Sequence, residues 1–149
     1  MTQPEKGLSL ILPLLALPRE TIEDQPPYAG SVGEWSKRIT EAQETCLLLD
    51  GRGRVVTLSV GCALMLNVST AAAVGRPLRD LVVLVDFTAT GLPVEDPEVH
   101  LPPLKALRSC AMARGLVRLR LAADVVATYD VIGVPLAGGV GALGFFAEV

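Results

Sequence analysis

An α+β fold with one antiparallel sheet is predicted by the order in which this sequence changes its periodicity. Two short runs rich in Leu, Val and Thr flank Gly51-Arg52-Gly53, a middle segment sets its apolar residues at helical spacing, and three runs rich in β-branched and apolar residues close the chain. Strands, then helices, then strands again within about a hundred residues give a five-stranded antiparallel sheet with its helices packed on one face.

Residues 1–30 read as an N-terminal apolar extension followed by a Pro-rich linker. The run LSLILPLLAL at 8–17 is about half the length of a spanning helix and is broken by Pro13, so no transmembrane span is predicted. Glu5 offsets Lys6 and no small-x-small pattern precedes Pro18-Arg19-Glu20, which argues against a signal peptide. An apolar decapeptide needs a cover, either its own sheet or that of a second subunit. Leu10, Leu12, Leu14 and Leu15 are the candidates for that contact.

Residues 31–149 are expected to form a single domain, with a helix over 31–45 and a core over 45–149. Ser31 with Glu34 makes a capping box, and Trp35, Ile39 and Ala42 fall on one stripe. Trp35 and Ile39 join the dimer-interface candidates, although Trp35 is equally suited to anchoring the domain's own sheet. Strands over 44–50 and 54–59 meet at the glycine turn. Ser59 caps a short helix carrying Val60, Leu64 and Val68, which Asn67 ends; Ser69 or Thr70 caps a second, which Gly75 ends. The longest helix is expected over 97–114, with Leu104, Leu107 and Ala111 on its apolar face and Gly115 as its stop. Strands follow at 116–122, 125–136 and 142–149, divided by Ala123-Asp124 and by the Gly-rich turn at 137–141.

With these elements in this order, the chain resembles the PAS domain family. Leu49-Asp50-Gly51-Arg52-Gly53-Arg54 looks like the family's first hairpin, 59–67 like its first helix, and Val74-Gly75-Arg76-Pro77-Leu78 like its "GRPL" corner. Val134-Pro135-Leu136, followed by Gly141 to Phe145, is similar to its last hairpin. The resemblance covers 42–149. It implies a sensory or protein-interaction module with a cavity between the inner sheet face and the helices. The residues expected to line that cavity, or to fill a closed core there, are Leu49, Leu58, Met65, Leu78, Leu81, Phe87, Leu104, Leu107, Leu119, Tyr129 and Phe145.

Composition excludes several other classes. The 149 residues are 50% hydrophobic with a net charge of −3, which suits one well-buried domain; with no cluster of Lys and Arg along the sequence, nucleic acid is not expected as a partner. Arg114, Arg118 and Arg120 read as outward positions of a helix end and a strand. Cys46, Cys62 and Cys110 are odd in number and lie in apolar sequence, which predicts reduced core residues of a cytoplasmic protein. No close Cys or His pairs suggest a metal site.

The family's cofactors give two further expectations. In flavin-binding relatives of the LOV type a Gly-Arg-Asn-Cys-Arg-Phe-Leu-Gln motif supplies the adduct-forming cysteine, whereas this chain reads Gly75-Arg76-Pro77-Leu78-Arg79-Asp80-Leu81-Val82, so Leu78 stands where the thiol would be. Flavin adduct chemistry is therefore not expected. Haem-binding PAS domains use a histidine, and His100 is the one histidine available; Leu101-Pro102-Pro103 place it before the helix proper or in its first turn. No nucleophile motif and no phosphate loop is present, so no enzyme is expected. The overall expectation is a stand-alone sensory domain acting through protein–protein contact as a homodimer and on a signalling partner, with a haem or other small-molecule sensor using His100 as the alternative.

Overall fold

The protein, analysed as a computed structural model, is described over residues 26–121 and 124–149. The apolar run carrying Leu10, Leu12, Leu14 and Leu15 lies outside the described residues.

Helix α1 spans Val32–Glu41 and opens on the expected capping box: Ser31 Oγ accepts from the Glu34 N–H at 3.1 Å while the Glu34 carboxylate accepts from the Ser31 N–H. It stops at Ala42, short of the predicted end, because the chain turns there into the first strand. Strands β1 (Cys46–Asp50) and β2 (Val55–Leu58) form the hairpin. Asp50 Oδ1 accepts from the backbone N–H groups of Arg52 at 2.8 Å and Arg54 at 3.1 Å, and Gly53 takes φ +78°, the conformation the turn requires.

Helices α2 (Val60–Leu66) and α3 (Thr70–Ala73) follow, capped by Ser59 and Ser69, with Asn67 at φ 54° ending the first. Ser59 is buried, and its Oγ accepts from both the Cys62 and the Cys46 N–H, so one hydroxyl ties α2 to β1. A 3₁₀ turn at Leu78–Asp80 and strand β3 (Val83–Val85) complete the middle. Then come α4 (Pro97–His100), α5 (Pro102–Ser109), β4 (Ala113–Arg120), β5 (Val126–Pro135), a 3₁₀ turn at Ala137–Gly139 and β6 (Gly141–Glu148).

Every strand pairing is antiparallel, in the order β2-β1-β6-β5-β4-β3. The predicted C-terminal meander is present as β4, β5 and β6. The sheet has six strands rather than five. Strand β3 has three residues, too few to show a period of two, and its pairing with Arg118–Arg120 across the sheet creates it. The loop after it is pinned by the same arginines: Arg118 Nη1 donates to the carbonyls of Asp86 at 3.2 Å and Thr88 at 2.7 Å, and Arg120 Nη2 to that of Gly91 at 2.9 Å.

The long helix expected over 97–114 is two helices and the start of a strand. Pro102 and Pro103 bring no N–H and force Leu101 into extended geometry at ψ 114°, so α4 and α5 cannot be continuous. Cys110, not Gly115, ends α5 in the left-handed conformation at φ 57°, and β4 is under way three residues later.

Helices α2, α3 and α5 gather on one face, as expected, and the N-terminal helix α1 covers the other. Leu47 and Leu49 of β1, Val117 and Leu119 of β4, and Tyr129 and Val131 of β5 point into an inner layer with α2 and α5, whereas the alternate residues Cys46, Leu48, Ile132, Val134, Leu143 and Phe145 build a second, outer layer under α1. The sheet is thus covered on both sides.

Candidate functional site

The inner layer is where the resemblance places a ligand. Leu49, Leu58, Leu78, Leu104, Leu119 and Tyr129 pack together there, with Met65 and Leu81 half-buried at its margin. Leu107 is half-buried beside the Gly53 turn. Two assignments are corrected. Phe87 is 61% exposed, because it follows β3 on the pinned loop, and Phe145 is fully buried in the outer layer. Its neighbour Phe146 faces inward instead, edge-on to Tyr129 with centroids 6.4 Å apart. Only the register of β6 decides between two adjacent phenylalanines; a one-residue slip would exchange them. Leu101, fully buried at the break between α4 and α5, was also missed; the chain between two helices carries no periodicity to mark it.

Close contact, rather than space, characterises the end of this layer where α5 begins. Gly133 of β5 lies opposite Gly144 of β6. A Cβ on Gly133 would stand 2.1 Å from the Pro102 carbonyl oxygen, and one on Gly144 would stand 2.7 Å from Pro103 Cγ. The two prolines that open α5 therefore rest on the sheet at the one place, among the described residues, where facing strands both lack side chains.

The titratable groups within reach are held neutral. Burial pushes the Cys46 and Cys62 thiols up to about 12, with the charge of Glu44 adding to the rise at Cys46, so neither is a nucleophile at neutral pH. Burial, and then the charge of Glu148, also raises the Tyr129 phenol. Among the described residues no three His, Cys, Asp or Glu side chains come together to hold a metal ion.

His100 ends α4 on the surface, beside a cleft of about 260 Å³ that runs between Phe87, Val94 and Leu116 at the β3–β4 edge. Trp35 and Ile39, two of the interface candidates, are buried in the chain's own outer layer. Trp35 Nε1 donates to the Ala29 carbonyl at 3.0 Å, its ring stacks on Tyr28 at 5.5 Å, and Arg38 lies over it at 4.9 Å. Of the two roles open to Trp35, the one within its own sheet is the one observed. No helix of the described residues is long and apolar enough to cross a membrane.

No protein-family model matches the chain, and no curated protein matches it in sequence. Solved structures match it in fold. A PAS domain from Colwellia psychrerythraea superposes with a TM-score of 0.56 at 17% identity, over 79% of this chain and 96% of that one. The PAS domain of nitrogen regulation protein NR(II) from Vibrio parahaemolyticus gives 0.53 at 14% identity, over 76% and 96%. A LOV protein from Rhodobacter sphaeroides gives 0.60 at 14% identity, over 78% of this chain and 65% of that one.

Proposed function

This chain has the PAS fold, and we propose that it serves as a signal-relaying module that works by protein–protein contact through a closed core. The observation that carries this reading is the seat of α5 on Gly133 and Gly144, where the Pro102 backbone meets the Gly133 backbone and the Pro103 ring rests on Gly144. The rest of the inner layer is buried and mostly aliphatic, with Leu78 filling the position at which a LOV-type thiol would stand. A leucine forms no adduct, so flavin photochemistry is not part of the proposal. Haem held by His100 would require an exposed histidine at the end of a one-turn helix to swing into a filled layer, and it is the weaker reading.

Pairing into a homodimer rests on the apolar run at 8–17, since Trp35 and Ile39 are engaged by their own sheet. The signalling partner would then meet the remaining surface.

An absorption spectrum of freshly purified protein, followed by mass spectrometry of what denaturation releases, tests the closed core. We expect no band beyond the aromatic one and no released molecule. A visible band lost in His100→Ala, or a stoichiometric small molecule, would replace this reading with ligand sensing.

A further inference from the structure

The cations of this chain are scattered along the sequence, yet the fold collects six of them. Gly53 of the β1–β2 turn abuts Leu104 and Leu107 of α5, and the turn is stitched to the Gly75–Pro77 corner by the hydrogen bonds from Leu78 N–H to Gly53 O, from Gly75 N–H to Val55 O and from Arg54 Nη1 to Gly75 O. Arg52, Arg54 and Arg79 are thereby brought to the flank of α5, with Arg76 beside them on the corner, and Lys105 and Arg108 of α5 also point outward; all six are exposed. The surface holds six of the thirteen Lys and Arg in a chain whose net charge is −3.

Little in the described structure neutralises this charge. Arg79 pairs with Glu98 at 2.7 Å, both side chains about half exposed. Arg54 and Arg76 donate to the carbonyls of Gly75 and Asp80, which leaves their charge intact. Asp50 is occupied by the backbone of its own turn. Among the described residues, Arg52, Lys105 and Arg108 have no carboxylate partner.

Two shallow clefts cross the surface and share Glu98. One, of about 170 Å³, has Pro77 and Leu104 between Arg52, Arg54 and Arg79; the other lies between Val99, Lys105 and Arg108. Apolar ground between guanidinium groups suits a chain that alternates carboxylates with apolar side chains, because guanidinium forks match carboxylates and the exposed Val99 gains by being covered. The embedded Asp50, Asp80 and Glu98 disfavour a continuous phosphate backbone.

We propose that this face, formed by the first hairpin turn, the Gly-Arg-Pro-Leu corner and α5, docks an acidic, partly apolar segment of a partner protein. The proposal rests on the reading of the chain as an interaction module and names the chemistry of its partner.

The test is fluorescence anisotropy on the full chain with a labelled peptide of alternating Glu and Leu, its Gln-Leu counterpart, and a labelled oligodeoxythymidine. We expect the Glu peptide to bind, to weaken as salt rises, and to lose about tenfold or more in affinity with Arg52→Glu plus Lys105→Glu, both exposed positions without structural hydrogen bonds from their side chains. Lys37→Glu, on the exposed face of α1, should change nothing. Equal binding of the Gln peptide, equal loss with Lys37→Glu, preferential binding of the oligonucleotide, or no binding at all would each overturn the proposal. A ligand found in the core would instead overturn the closed-core reading and leave these outcomes unchanged.

Discussion

Cys46, Cys62 and Cys110 show how one residue type divides according to place. The first two are buried in the outer and inner layers, and the third is exposed where it ends α5. In the native state a thiol reagent should label one cysteine promptly, Cys110, and all three after unfolding. Prompt labelling of all three would show that the two layers open readily. Because burial raises Cys46 and Cys62 from 9.0 to about 12, the unfolded chain loses these protons first as pH rises. Their contribution to stability is therefore complete below pH 9 and declines between pH 9 and 12. Replacing both with Ala should flatten that alkaline decline in a chemical-denaturation series. The sequence correctly marked Cys46 and Cys62 as small core residues. It misplaced Cys110, since the apolar neighbours that suggested burial belong to a helix end rather than a helix face.

At the scale of elements, the contact between α5 and the sheet is the most sensitive joint. Gly133→Ala would drive a methyl group into the Pro102 carbonyl, and neither backbone can give way cheaply. A loss of about 3 kcal/mol is expected, read as a lowered denaturation midpoint. Gly115→Ala is the control, because its nearest neighbour across the layer is Pro102 Cγ at 3.9 Å, an ordinary contact. Equal effects of the two substitutions would mean that α5 is not seated as described. Element boundaries were legible wherever a local hydrogen bond sets them: the Ser31 capping box, the Ser59 cap and the Asn67 stop all fall as the sequence predicts. They were only partly legible over 97–114: Leu101-Pro102-Pro103 marked where the longer helix begins, but nothing local marked its end at Cys110 or the strand that starts at Ala113.

Across the whole molecule, one sheet supports two layers, so the layers should unfold together. Trp35 is the only tryptophan and lies in the outer layer, which makes its fluorescence a reporter of α1, while far-ultraviolet circular dichroism reports the sheet and the inner helices. The two denaturation curves are expected to coincide. An earlier fluorescence transition would show α1 undocking independently and exposing the β1–β6 face. The basic face belongs to this scale as well, since Arg52 and Arg108 are far apart in sequence and come to one surface only when the hairpin turn rests on α5.

The sequence alone determined the class, the broad order of strands and helices, the caps and turns and six of the buried inner-layer residues. Each of these depends on interactions between residues a few positions apart or on a strict alternation along one strand. Tertiary structure decided which of Phe145 and Phe146 faces inward, the existence of β3, the placement of α1 on the opposite face, the closure of α5 onto Gly133 and Gly144, and the gathering of six cations on one surface. Those outcomes depend on register and on contacts between distant segments, which local spacing does not encode.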